Sequence, residues 1–395
     1  MGKELNIAVL TDSSLPDMRV EKNLLLHMEA NREGNIYLIG RGRPAVLNDI
    51  IKYLNLPLSY KFISLESWPS YARLGVRPFY DWFKKKIGKI LNKVKPDFVY
   101  AHNIFAAKIA YDLGYPVVLD DHELFPVRYR YIAERGTKKN LYRFRARVKA
   151  YIWYKWEQEL ANNVLAIVTV NNYIKRYYVE RHNLKNVFVI PNFPHSYEVK
   201  TSELYPIPID VKQIIDKYRN NKLLLGYIGP GVLPPVVPYR NLTFIKDIIK
   251  PLSDKMILFL LGTKRKAAYY DSIIGLGYVY HLQLYRIMQE MHIGLCSWTP
   301  HPFHIFSNPN KVFIYIHAGL ISLLTSSLKE VIRFLKPPHA IIIDDPISEL
   351  KDILIDLYRN KDDIENTRDE RKAYAAENLV FDKFIDVLQN IYSRI

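Results

Sequence analysis

Two successive stretches of the chain each alternate short apolar runs with segments of helical period. This alternation limits the fold more than any other feature of the sequence. In the first stretch the apolar runs are 5–11, 35–39, 61–65, 98–101, 117–119, 166–170 and 187–190. Between them lie helical patterns at 17–31, 45–55, 79–94, 103–112, 141–161 and 172–182. In the first of these, Val20, Leu24, Leu25 and Met28 share one face. Runs that are apolar at nearly every position mark strands buried on both sides, which means parallel sheets covered by helices. The second stretch repeats the pattern, with strands expected at 223–228, 256–261, 293–296, 321–324 and 340–343. Helices are expected there at 241–252, 281–290, 309–318, 328–335, 348–358 and 361–377. The fold class is therefore α/β: two doubly wound domains facing a cleft, with binding loops at the carboxyl ends of both sheets. The expected boundaries are an N-terminal domain over 1–195, a linker over 196–222 containing Pro206 and Pro208, and a C-terminal domain over 223–378. A final amphipathic helix, 379–395, is expected to pack back on the N-terminal domain.

A chain of 395 residues suits two domains. Hydrophobic residues at 49% and charged residues at 24% exclude a largely disordered chain. No run approaches the ~18 consecutive apolar residues of a membrane-spanning helix. Residues 1–6 lead directly into a strand pattern, so no signal peptide is expected. The one cysteine, Cys296, excludes an intrachain disulfide framework and a cysteine-rich zinc site, and it points to a cytoplasmic setting. Lys and Arg number 56 against 40 Asp and Glu, a net charge of +16. The surplus is uneven, with 31 basic and 18 acidic residues in 1–195 but 25 and 22 in 196–395. Windows 73–95 and 128–156 carry net charges of +7 and +9. Such density attracts polyanions: nucleic acid, anionic lipid or phosphorylated substrates.

Two histidines follow apolar strands directly, in Lys95-Pro96-Asp97-Phe98-Val99-Tyr100-Ala101-His102-Asn103 and in Val117-Val118-Leu119-Asp120-Asp121-His122-Glu123-Leu124. That edge of a parallel sheet borders the ligand crevice, where a histidine donates hydrogen bonds or moves a proton. A helix-start histidine bonded to its own loop has the same spacing, and spacing alone leaves both readings open.

At these residues the chain resembles a GT-B glycosyltransferase of the family-four type, with two Rossmann-like domains. The resemblance runs in order over nearly the whole chain. It begins at Arg19-Val20 and continues through KPDFVYAHN (95–103), PVVLDDHEL (116–124), AIVTVNNYI (166–174) and VFVIPNFP (187–194). LLLGYIG (223–229), Arg240-Asn241-Leu242, LFLLGT (258–263), MHIGLCSWTP (291–300) and NPNKVFIYIHAGLISLLTSS (308–327) follow. The resemblance implies a nucleotide-diphosphate-sugar donor, UDP- or GDP-linked, held by the C-terminal domain. It implies an acceptor, a glycan or a lipid-linked hydroxyl compound, on the N-terminal domain, and a retaining transfer without metal or other cofactor. By the same resemblance His122 is the catalytic residue. Gly229, Gly231, Arg240, Asn310 and Lys311 bind the donor, and Asp12, Arg19 and His102 lie on the acceptor side. A guanidinium at Arg240 suits a dianionic diphosphate leaving group.

One departure is large. Family members carry two glutamates separated by seven residues in this region, and here Phe306 and Ile314 stand in their places. The second glutamate accepts hydrogen bonds from the donor ribose, and isoleucine offers no acceptor. Losing a charged hydrogen bond costs about 1.5–3 kcal/mol. Two alternatives therefore stand beside the enzyme: a non-catalytic protein that binds polyanions or lipid on the same scaffold, and a nucleic-acid-binding protein. Nucleic acid ranks last of the three.

The window 128–156 interleaves ten cations with Tyr and Trp, and 141–156 reads as one helix. Arg143, Arg145, Arg147, Trp153 and Trp156, with Lys84, Lys85 and Lys86 of the other basic window, form a candidate patch for an anionic membrane surface. That suits an enzyme placed peripherally on the cytoplasmic face. A solvated helix whose aromatics pack inward is the other reading of the same residues. Gly40-Arg41-Gly42 follows a strand but lacks the spacing of a dinucleotide fingerprint. No phosphate-binding G-x-x-x-x-G-K-[ST] and no Asp-x-Asp is present, and no metal site is expected.

Overall fold

A computed structural model describes residues 4–135, 140–229, 240–263 and 266–395. The chain divides into two compact units, one formed by Met1–Pro191 with Phe381–Ile395 and the other by Asn192–Val380. The first contains β1 (Asn6–Ser14), β2 (Asn35–Arg41), β3 (Lys61–Ser64), β4 (Phe98–His102), β5 (Val117–Asp121), β6 (Ala166–Thr169) and β7 (Val187–Val189). They form one parallel sheet in the order β3-β2-β1-β4-β5-β6-β7. Every residue of β4 and β5 is buried, which is why both read as continuous apolar runs. The order reverses direction between β1 and β4, the topological switch where doubly wound sheets open a crevice. Register then decides which side chains meet at that edge: Thr11 lies opposite His102, and His102 lies opposite Asp120.

The second unit contains β8 (Leu223–Ile228), β9 (Met256–Leu261), β10 (Lys266–Tyr270), β11 (Ile273–Gly277), β12 (Ile293–Cys296), β13 (Ile321–Thr325) and β14 (Ala340–Ile343). Their order is β10-β11-β9-β8-β12-β13-β14, and the edge strand β10 alone runs antiparallel among the described strands. The expected α/β class, with two doubly wound Rossmann-like sheets, is the class the structure has. The strand pair β10–β11 was not anticipated, because Gly275 and Gly277 interrupt its apolar pattern.

Residues 196–222, expected as a linker, are a structured part of the second unit. They hold helices Ser196–Ser202 and Ile209–Arg219. Val211 and Ile215 enter that unit's core beside Leu224, Ile257 and Phe259. Glu198 is buried and accepts hydrogen bonds from Tyr285 at 2.6 Å and from His281 at 2.6 Å. Prolines that looked like linker punctuation instead separate two short packed helices. In the first unit, helix Ile385–Tyr392 buries Leu388 and Ile391. The Tyr392 ring sits 5.8 Å from that of Phe98 in β4, and its hydroxyl hydrogen-bonds to His27.

Candidate active site

In the first unit the carboxyl ends of β1, β4 and β5 enclose a polar network centred on Asp120. One carboxylate oxygen, Oδ2, accepts from Arg19 Nε at 3.2 Å and Nη2 at 3.0 Å, Asn23 Nδ2 at 2.8 Å and the Tyr100 hydroxyl at 2.9 Å. The other, Oδ1, lies 3.4 Å from His122 Nδ1. Burial is the largest influence and would raise the Asp120 pKa, but the Arg19 guanidinium together with His122 and His102 outweighs it and holds the carboxyl well below the usual carboxylate range. Burial likewise disfavours a charged His122, and the Asp120 carboxylate beside it lifts that imidazole to about 8. His102 is fully buried, and its desolvation brings it down to about 3. Among the described residues neither His102 ring nitrogen has a hydrogen-bond partner. The edge thus presents one imidazolium-prone histidine fixed by a permanent carboxylate, next to a neutral one.

Ligand atoms of His102, Asp120 and His122 lie within 4.8 Å of one another, a spacing that could hold a metal ion. Arg19 already places a cation on the shared carboxylate, which opposes adding a divalent ion. Beside this cluster, Asp12 pairs with Arg73 Nη2 at 3.2 Å and accepts from Asn103 Nδ2 at 2.7 Å. Burial raises the Asp12 carboxyl above its ordinary value against both partners.

In the second unit, Gly229 follows β8 with φ of +137°, and a Cβ there would meet Lys311 Nζ at 3.1 Å. Glycine therefore leaves the space this close approach needs. Lys311 Nζ lies 3.7 Å from the centre of the Tyr227 ring and 5.4 Å from that of Trp298. Arg240 stands over the same Trp298 ring at 5.7 Å. Two cations meet at one indole beside a bare glycine backbone at the carboxyl ends of β8 and β12, an arrangement that could hold an anion. Lys311 forms no ion pair among the described residues. Helix Asn310–His317 opens next to it with Pro309 at its cap.

Residues 35–193 match the family model described as Glycosyltransferase Family 4. The chain has a GT-B fold, and its residues 35–193 are similar to glycosyltransferase family 4. HepE of Anabaena, solved with UDP and glucose, superposes with a TM-score of 0.64 at 11% identity, over 99% of this chain and 100% of that one. Sucrose-phosphate synthase of Thermosynechococcus elongatus gives 0.68 at 10% identity, over 98% of each chain. The α,α-trehalose 6-phosphate synthase of Burkholderia multivorans gives 0.61 at 10% identity, over 100% of this chain and 98% of that one. No curated protein matches by sequence.

Several expected residues are placed differently from their reading in the sequence. Arg19, expected on the acceptor side, is 2% exposed and engaged with Asp120 and, at 2.7 Å, with the Ile190 carbonyl. His102 belongs to the same buried layer. Asp12 faces a pocket, described below. Trp153, expected at a surface patch, is 2% exposed and donates from Nε1 to the Arg73 carbonyl at 2.8 Å. Trp156 is half-buried against Tyr80 and Phe105. Indoles are large enough that the helix turns them inward and exposes Tyr142, Phe144 and Tyr151 instead. Arg143 binds the Ala133 carbonyl at 3.0 Å, whereas Arg145, Arg147 and Lys85 are exposed. Lys84 and Lys86 lie near Asp81 and Glu66. Gly231 lies outside the described residues, and Asn310 is the first residue of its helix. Sequence reasoning missed Asn23, Tyr100, Asn103 and Arg73. They are ordinary residues in the sequence, and only the sheet register brings them together.

Proposed function

We propose that the protein is a glycosyltransferase that moves a sugar from a nucleotide-diphosphate donor to a hydroxyl acceptor. The observation that carries this reading is the pairing of Lys311 and Arg240 on Trp298 beside Gly229. Fixed cations there would stabilise charge developing on a diphosphate leaving group without reorganising during the reaction. The UDP and UDP-glucose complexes solved for HepE support a uridine diphosphate donor. His122, oriented by Asp120, would act at the reacting sugar. With no evident covalent nucleophile, a same-face displacement with retention and without metal is the favoured route.

Ile314 is 3% exposed inside the core of the second unit, so donor recognition would rest on diphosphate contacts and groups other than a ribose-binding carboxylate. A thermal-shift panel of UDP- and GDP-sugars tests the donor. The expected result is stabilisation by at least one of them, lost in Lys311→Ala and weakened in Arg240→Ala. No stabilisation at millimolar concentration would reject the donor site. A non-catalytic polyanion- or lipid-binding role is the second reading, favoured by Ile314 and Phe306. It predicts donor binding with neither transfer nor donor hydrolysis.

The exposed rings of Phe79, Trp82, Tyr142, Phe144 and Tyr151, together with the exposed cations Lys85, Arg145 and Arg147, support docking on an anionic membrane surface from the cytoplasmic side. Flotation with anionic but not neutral liposomes is expected. Reversal of Lys85, Arg145 and Arg147 to Glu should abolish it, and unchanged flotation would remove the membrane claim.

A further inference from the structure

The Gly40-Arg41-Gly42 turn has no role in the site described so far. Its two glycines are fixed by packing. A Cβ at Gly40 would meet Thr11 Cγ2 at 2.7 Å, and one at Gly42, where φ is +95°, would meet the Leu15 carbonyl oxygen at 2.3 Å. The turn is thereby drawn against the end of β1. Leu15 N donates to the Arg41 carbonyl at 2.8 Å, and Ser14 pairs in register with Arg41. The Arg41 side chain remains exposed and forms no ion pair among the described residues.

Arg41 lines a pocket of about 330 Å³ at the carboxyl ends of β1, β2 and β4, alongside Asp12, Ser13, Ser14 and Asn103. The size is that of a small-molecule site. The lining also includes aromatic rings: Phe125 and Tyr129 stack with centroids 5.8 Å apart and planes 23° apart, both half-buried. A lining that combines hydroxyls, a carboxylate and aromatic rings suits a polyhydroxylated ring. The pocket also borders the His102 edge, since Asn103, which lines it, directly follows His102 at the end of β4.

Four charged groups line the pocket and their formal charges cancel, but they are not equivalent. Asp12 is neutralised by Arg73. Asp17 caps a helix, accepting from the backbone N–H groups of Arg19 at 3.0 Å and Val20 at 3.3 Å, where the helix end offsets its charge. Arg41 is left as the uncompensated cation, and a guanidinium binds carboxylate or phosphate through paired hydrogen bonds. We propose that this pocket takes the acceptor, and that the acceptor is an acidic saccharide whose carboxylate or phosphate is read by Arg41. The proposal rests on the glycosyltransferase reading above.

The experiment titrates the full chain, without donor, with methyl β-glucuronide, glucose 6-phosphate, methyl β-glucoside and inorganic phosphate, read by ligand-observed NMR. One or both acidic sugars should bind about tenfold or more tightly than the neutral glycoside, as a charged hydrogen bond implies. The tighter of the two identifies carboxylate or phosphate as the natural group. Arg41→Gln should remove that preference while UDP binding and the melting temperature stay unchanged. Equal affinity for charged and neutral sugars, a preference that survives Arg41→Gln, or no sugar binding at all would overturn the proposal. Inorganic phosphate binding as well as glucose 6-phosphate would overturn its saccharide part. A parallel UDP titration keeps the two readings apart: the acceptor proposal can fail while UDP binds, and failure of UDP binding counts against the donor reading instead.

Discussion

At the residue scale, His122 and Asp120 show how a buried pair sets protonation at the sheet edge. The Asp120 carboxylate lifts His122 from its ordinary 6.5 to about 8. A histidine raised on folding adds stability that is fully present below pH 6.5 and lost as pH rises through 8, about 2 kcal/mol for this shift. The wild type should therefore lose stability across that window in urea titrations, and His122→Gln should lose less. The neighbouring Asp121, pushed up to about 7 by burial, also lowers stability with rising pH, but over a lower pH window. An imidazole midpoint near 8 by NMR checks the assignment directly. Ile314 makes the opposite point. Its position is where family members carry a glutamate, yet its side chain lies in a core cluster with Met288, Tyr315 and Leu320. Ile314→Glu should not restore ribose binding. It buries an unpaired carboxylate, so denaturant unfolding should show a loss of several kcal/mol with no gain in UDP affinity.

At the element scale, close approaches between a helix and a strand depend on single glycines. Gly294 in β12 faces Tyr315 of helix Asn310–His317, and a Cβ there would meet Tyr315 Cγ at 2.3 Å. Because Tyr315 also hydrogen-bonds the Ile228 backbone at 3.0 Å, it cannot move freely. Gly294→Ala should cost about 1–3 kcal/mol in thermal unfolding, and it should weaken UDP binding because Lys311 lies on the displaced helix. The helix Asn140–Ala161 shows where element-level reading stops. Its mixture of arginines, tyrosines and tryptophans suits a membrane face or a core face equally well. Contact with Arg73 and Phe125 turns Trp153 inward, and no spacing rule contains those contacts. The strand pair β10–β11 escaped notice for the reverse reason: its glycines hide a strand whose pairing with β9 makes up for a weak local pattern.

At the scale of the whole molecule, the chain leaves its second unit at Val380 and ends in the first. The returning segment is not decorative. Phe381 lies under the cations of Arg19 and Lys22 at 5.5 and 5.4 Å, and Tyr392 contacts His27 and Phe98. Truncation after Val380 should lower the melting of the β1–β7 unit and leave that of the β8–β14 unit unchanged, which calorimetry can resolve as two transitions.

The sequence by itself determined the α/β class, the two sheets and most of the strands, because burial on both faces forces continuous apolar runs. It also placed His102, His122, Gly229 and Lys311 at strand ends or helix starts, since each follows or precedes an apolar run in the chain. Tertiary structure alone decided which of them meet what. Arg19 reaches Asp120 from 101 residues away, and Arg73 reaches Asp12 from 61. Those pairings depend on sheet order and register, and so does the consequence that Arg19 is consumed inside the fold while Arg41 remains free at the pocket. Charge and composition are sums along the chain, whereas a binding site depends on which charges remain unpaired after the chain has folded.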